Sequence, residues 1–157
     1  MNYYHYDVPD DSPLRGITFT TEGEELTALW FDDQKDVKEI EFTCVDNVAA
    51  SDTKRWLDMY FSGRDPGFTP KLRAVGTEFR KTVWEMLLNI PYGHTMTYGE
   101  IAAGISESMS AQAVGGAVGH NPIAIIIPCH RVIGSDGSLT GYAGGLDKKA
   151  YLLELEK

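Results

Sequence analysis

Three side chains capable of chemistry stand in a row at Cys129-His130-Arg131, directly after Pro128. A thiol is nucleophilic as its thiolate, and a nearby base or cation favours that form. His130 is the adjacent base, but neighbouring residues of an extended segment point to opposite faces, so its contact with Cys129 requires a turn or an intervening water. An imidazole working as a base also needs a carboxylate to fix its tautomer and stabilise its charged form. The end of the chain offers Glu154 and Glu156, and helical periodicity does not choose between them. Two other uses compete for Cys129. It can be a small buried hydrophobe, as most free cysteines are, or it can ligate zinc. The chain has only Cys44 and Cys129, and its 4 histidines show no CxxC or HxxxH spacing, so no metal site is expected. The glycine-rich turns Gly134-Ser135-Asp136-Gly137 and Gly141-Tyr142-Ala143-Gly144-Gly145 match neither phosphate-loop spacing, and no cofactor is expected.

The elements that must position this cluster can be read from spacing. Ile123 to Ile127 form an apolar, β-branched run that suits a buried strand, ended by Pro128, which cannot donate a ladder hydrogen bond. Ahead of it, Ile17–Thr20 and Leu26–Phe31 read as a hairpin around Thr21 to Glu25, and the alternating run Ile40–Val45 as a third antiparallel strand. Ser51 or Asp52 can cap a helix through Trp56, Leu57, Tyr60 and Phe61, with Gly63 as its stop. The segment Asp65-Pro66-Gly67-Phe68-Thr69-Pro70 continues neither element and divides the chain into residues 1–70 and 71–157. In the second part Thr77 caps a helix whose stripe is Phe79, Val83, Met86, Leu87 and Ile90. Thr97 and Glu100 have capping-box spacing ahead of Ile101-Ala102-Ala103, and Ser110 caps a small-sided helix from Ala111 to Val118. Two short helices joined by a tight turn form a helix-turn-helix pattern. A last helix from Leu146 is read with the stripe Leu146, Ala150 and Leu153.

The net charge is −9, which argues against strong nonspecific affinity for a polyanion. It is unevenly placed: residues 1–70 hold 6 Lys/Arg against 15 Asp/Glu, residues 71–157 hold 8 of each. The neutral second half can still offer a basic patch from Lys71, Arg73, Arg80, Lys81, Lys148 and Lys149. No leader segment or membrane-spanning run is visible, so a cytoplasmic protein without membrane partners is expected.

Pro128-Cys129-His130-Arg131-Val132, preceded by Asn121-Pro122 and followed by Gly141-Tyr142-Ala143-Gly144-Gly145-Leu146, closely resembles the signature of the O6-alkylguanine-DNA alkyltransferases. The resemblance runs from Gly76-Thr77-Glu78-Phe79 through Ile90-Pro91-Tyr92-Gly93, Thr97-Tyr98-Gly99-Glu100-Ile101-Ala102 and Ala113-Val114-Gly115 to Leu153 and Glu156. It implies a small α/β N-terminal lobe, an antiparallel sheet plus helix with a ribonuclease-H-like outline. This would join a mostly α, winged-helix-like C-terminal lobe that enters the minor groove of double-stranded DNA as a monomer and flips an alkylated guanine into a pocket. The implied activity is single-use repair, in which Cys129 accepts the alkyl group of O6-alkylguanine, or of O4-alkylthymine. By the same resemblance His130 takes the thiol proton through a water, Glu156 orients His130, Asn121 braces the cysteine turn and Tyr98 protonates the leaving base. Cys129, Val132 and Ala143 would bond the base through backbone groups, with Tyr142 packed against it. Thr97, Gln112, Ala113 and Arg131 would meet the DNA. Relatives commonly carry arginine where this chain has Gln112, a departure that bears on DNA affinity rather than on the chemistry. A non-catalytic lesion binder of the alkyltransferase-like kind is the alternative, as are a cysteine hydrolase and a helix-turn-helix regulator. The retained Cys129 separates this chain from the first, and the company of Tyr98, Asn121 and Glu156 from the other two.

Overall fold

The computed structural model describes residues 1–34, 40–142 and 144–157. A three-stranded antiparallel sheet opens the chain, formed by β1 (Asn2–Tyr6), β2 (Ile17–Glu22) and β3 (Glu25–Phe31) in that order. The expected hairpin is β2–β3, closed at Gly23, whose φ of 61° suits a residue without a Cβ. β1 was not expected, although its tyrosines are good strand formers; Tyr4 pairs with Phe19 and their rings stack at 5.2 Å. The third strand anticipated at Ile40–Val45 does not form. That segment runs beside β1, with the Thr43 amide bonded to the Tyr3 carbonyl, while Phe42 and Val45 remain exposed. An alternating pattern needs a core to face, and here none is offered.

Helix α1 (Val48–Phe61) covers the sheet with Trp56, Leu57 and Tyr60. Its cap is Asn47, whose side chain accepts from the Ala50 amide, not Ser51 or Asp52. The earlier start lets Ala49 and Ala50 pack inward. Residues 71–73 then pair with the start of β3 through Leu26. Helix α2 (Glu78–Leu88) is capped by Thr77 as expected, and its Trp84 donates to the Ala117 carbonyl. A two-stranded parallel sheet of β4 (Met96–Thr97) and β5 (Val132–Ile133) brackets the helix pair α3 (Tyr98–Ile105) and α4 (Ala111–Gly119). The Thr97–Glu100 capping box and the Ser110 cap are both present. The chain closes with α5 (Leu146–Leu155).

Two expectations fail in ways that matter for the site. Ile123–Ile127 is not a strand. Ile123 makes one isolated bridge to Leu29 across the lobes, then the chain turns. The Ile126 amide bonds the Ala124 carbonyl around Ile125, the one non-glycine residue with positive φ (69°) among the described residues. The Cys129 amide bonds the Ile127 carbonyl around Pro128 at φ −82° and ψ 66°, an inverse γ-turn. All five residues are buried, and periodicity cannot tell a buried strand from a buried turn. In α5 the stripe read as Leu146, Ala150 and Leu153 is not the inner face, for Leu146 is 49% exposed. The inner face carries Lys148, Lys149 and Leu152, with Glu156 just past the helix end. The expected basic patch is thinned: Lys148 and Lys149 are buried, Lys71 and Arg73 pair with Glu24 and Glu25, and of the rest Lys81 lies 3.7 Å from Glu78. Among the described residues no helix is long and apolar enough to cross a membrane.

Candidate active site

The acceptor loop is built outward from Asn121. Its side-chain amide donates to the Ile127 carbonyl at 2.8 Å and its oxygen accepts from the Ile123 amide at 2.9 Å. Both groups belong to a loop that forms no ladder, so the amide supplies what a sheet would have supplied. The loop delivers Cys129 into a single 3-10 turn, Cys129–Arg131, which supplies the turn that adjacency of thiol and imidazole required. Cys129 lines a cavity of about 350 Å³ together with Asn121, Ala124, Gly141, Tyr142 and, from β3, Phe31.

The next two residues of that turn enter a buried relay. Glu156 Oε2 accepts from His130 Nε2 at 2.5 Å and from the Tyr60 hydroxyl at 2.6 Å; Oε1 accepts from Arg131 Nε at 2.8 Å and from the Gly93 amide at 3.2 Å. One carboxylate thus takes a donor from α1, the acceptor turn and the loop after α2, and between Glu154 and Glu156 the geometry selects Glu156. Burial pushes its carboxyl up, but the bonds from His130, Arg131 and Tyr60 and the charge of the imidazole bring it down to about 2. A carboxylate only accepts, so His130 carries its proton on Nε2 and presents the lone pair of Nδ1. Burial lowers the His130 pKa, the Arg131 and Lys149 charges add to this, and Glu156 opposes them. The imidazole is therefore neutral near pH 7 and able to accept a proton. Nδ1 has no hydrogen-bond partner among the described residues.

Burial raises the Cys129 pKa, while Asn121 and the Lys149 ammonium pull it down. Lys149 is fully buried, donates to the Thr140 carbonyl at 2.9 Å and sits 6.0 Å from the Tyr98 ring centroid. The Tyr98 hydroxyl donates to that same carbonyl at 3.2 Å, and burial holds its pKa above the ordinary value, so it keeps its proton at neutral pH. Tyr142 packs at 6.3 Å from Phe31. Burial and the neighbouring Cys129 thiol raise the pKa of its hydroxyl well above the ordinary value.

The structure joins His130 to Glu156, and gathers Asn121, Tyr142 and Lys149 around Cys129, the residue before His130, with Tyr98 linked to Lys149 through the Thr140 carbonyl. Val132 is buried at the start of β5. Ala143 lies outside the described residues. Gln112 and Ala113 are exposed on α4, and Thr97 is half-buried as the cap of α3. Arg131, expected at the DNA, is 7% exposed, with its guanidinium on Glu156 and on the Ile90 carbonyl at 2.8 Å. A charge so buried is stable only when paired, and its place is in the relay. The sequence reading missed two members: Tyr60, and Lys149 as a neighbour of the thiol. For Lys149 a signal existed, since residues 149 and 156 are two helical turns apart and share a face. For Tyr60, 96 residues from its partner, there was none.

Residues 78–157 match the profile described as 6-O-methylguanine DNA methyltransferase, DNA binding domain. The chain is 47% identical over 154 residues to the methylated-DNA–protein-cysteine methyltransferase of Methanosarcina barkeri, covering 98% of this chain and 97% of that one. It is 48% identical over 147 residues to the protein of the same name from Mycobacterium tuberculosis H37Rv, covering 94% and 89%. The crystal structure of M. tuberculosis OGT in complex with DNA superposes with a TM-score of 0.86 at 46% identity, covering all of this chain and 93% of that one. With a relay built around one cysteine and likeness along nearly its whole length, the chain belongs to the methylated-DNA–protein-cysteine methyltransferase family.

Proposed function

We propose that this protein repairs DNA by direct reversal, transferring the alkyl group of O6-alkylguanine to Cys129 once per molecule. The observation that carries the reading is a thiol on a cavity wall, followed in the same turn by a buried imidazole held by a carboxylate. The Cys129 proton passes through a water to His130 Nδ1, and Glu156 stabilises the imidazolium. Sγ then attacks the alkyl carbon in line with the C–O6 bond, whose electrons pass to the guanine. Tyr98 protonates the departing base so that it leaves neutral. The product is a thioether with no charge and no good leaving group, so the alkyl group stays on the protein.

The substrate is double-stranded DNA, approached from the minor groove by the α3–α4 pair, with Thr97, Gln112 and Ala113 on the contacting side and the damaged base flipped towards Tyr98, Val132, Tyr142 and Ala143. O4-alkylthymine is a second substrate of the same chemistry. The chain divides into residues 1–70 and 71–157 and acts as a monomer in the cytoplasm, where a reducing milieu keeps Cys129 a thiol. Mass spectrometry after incubation with an O6-methylguanine oligonucleotide tests this: one methyl on Cys129 is expected, and Cys129→Ala is expected to bind DNA without gaining mass. An unchanged mass of the wild-type protein with DNA bound would convert the reading to that of a lesion binder.

A further inference from the structure

Glu156 is bonded not only by its own lobe. Tyr60, on α1 of the first lobe, reaches across to the same oxygen that holds His130, at 2.6 Å, and stands 3.4 Å from His130 Nε2. The hydroxyl and both its partners are buried, and the ring is fixed by stacking on Trp56 at 5.0 Å and by edge contacts with Phe61 and Tyr92. We propose that Tyr60 is a positioning residue for alkyl transfer, the donor through which the first lobe holds Glu156 against His130 and sets how strongly that carboxylate draws on the imidazole. The inference rests on the reading of Cys129, His130 and Glu156 given above.

The physical basis is competition at one oxygen. Burial, with the Glu156 charge behind it, raises the Tyr60 pKa well above the ordinary value, so the hydroxyl always donates. Its bond shares the electron density that Oε2 offers to Nε2–H and weakens the carboxylate's stabilisation of an imidazolium. The other groups facing the pair are Arg131 from the acceptor turn, Lys149 from α5, Tyr92 and the Gly93 amide after α2, and Tyr142 near Tyr60. None of them supplies a second donor to Oε2. With Tyr60 lost, Glu156 draws harder on Nε2–H and the imidazole becomes more basic. His130 is then already protonated at pH values where it should be accepting.

The test is the pH dependence of single-turnover methyl transfer for Tyr60→Phe, which removes the donor and keeps the ring. The acid limb of the profile should move up by about half a unit to one unit, with the plateau rate reduced several-fold. Site-specific 4-aminophenylalanine at position 60, which restores an N–H donor, should return the limb towards its original place. The loss in Tyr60→Phe with Glu156→Gln should be smaller than the product of the two single losses, because both act at one bond. A superposable profile, a lower plateau with an unmoved limb, or 4-aminophenylalanine behaving as phenylalanine would each overturn the proposal. Failure of the wild-type protein to gain a methyl group would instead overturn the underlying reading.

Discussion

The interior behind Cys129 and the exposed face of α4 handle charge in opposite ways. Behind the thiol, His130, Arg131, Lys148, Lys149 and Glu156 are all at least nine-tenths buried. Lys149 acts on the acceptor thiol, His130 and Arg131 donate to Glu156, and Lys148 bridges to Asp33 of the first lobe at 2.7 Å. On α4, residues 111–119 carry no charged side chain at all. The chain buries a small set of ionic groups beside Cys129 and leaves a neutral, small-sided surface on α4, the helix proposed above to meet DNA. Chemistry and affinity are thereby separable, and substitutions on the two sides should fail differently.

Glu156→Gln should give the largest effect. Losing the carboxylate leaves Arg131 unpaired in the interior and is expected to lower stability at pH 7 by roughly 3 kcal/mol. The folded carboxyl stands at about 2 against an ordinary 4.5, so its contribution is complete above pH 4.5 and lost as pH falls towards 2. Buried neutral His130 acts in the same direction from its ordinary 6.5 downward. Denaturant unfolding between pH 7 and 3 should therefore show a steep acid loss for the wild type and a flatter one for Glu156→Gln. Next in size, Lys149→Met removes the cation that pulls the thiol down. The Cys129 pKa should rise and the transfer rate at neutral pH fall by about tenfold, partly recovered at higher pH. An unchanged rate would show that the acceptor does not feel the ammonium. The smallest effect is expected on the neutral side. Gln112→Arg should tighten DNA binding a few-fold at matched salt and steepen the salt dependence by about one counterion, leaving the transfer rate at saturation unaltered.

The same contrast explains what could be read from the sequence. Caps declare themselves locally, so Thr77, Ser110 and the Thr97–Glu100 box were legible from spacing. The reactive cluster was legible as a motif. What stayed hidden were places where burial and polarity part company. Lysines on the inner face of α5 look like solvent residues to any hydrophobic pattern, which is why Leu146 was given a core position that it does not hold. Tyr60 looked like one more aromatic of an amphipathic helix, since nothing local distinguishes a hydroxyl that meets Glu156 from one that meets water. The Ile123–Ile127 run hid its turn because every residue in it is apolar and buried whichever path the backbone takes.

That turn also sets two demands on one residue. Ile125 is fully buried at a φ of 69°, where a β-branched side chain is strained by about 1–3 kcal/mol. Glycine would accept the backbone angle but leave a hole in the core, and emptying a buried isoleucine site costs about 2–5 kcal/mol. Packing and backbone thus ask for different residues, and packing prevails by a small margin. The loop that presents the acceptor is locally frustrated, kept in shape by the volume it fills and not by any preference of its own chain.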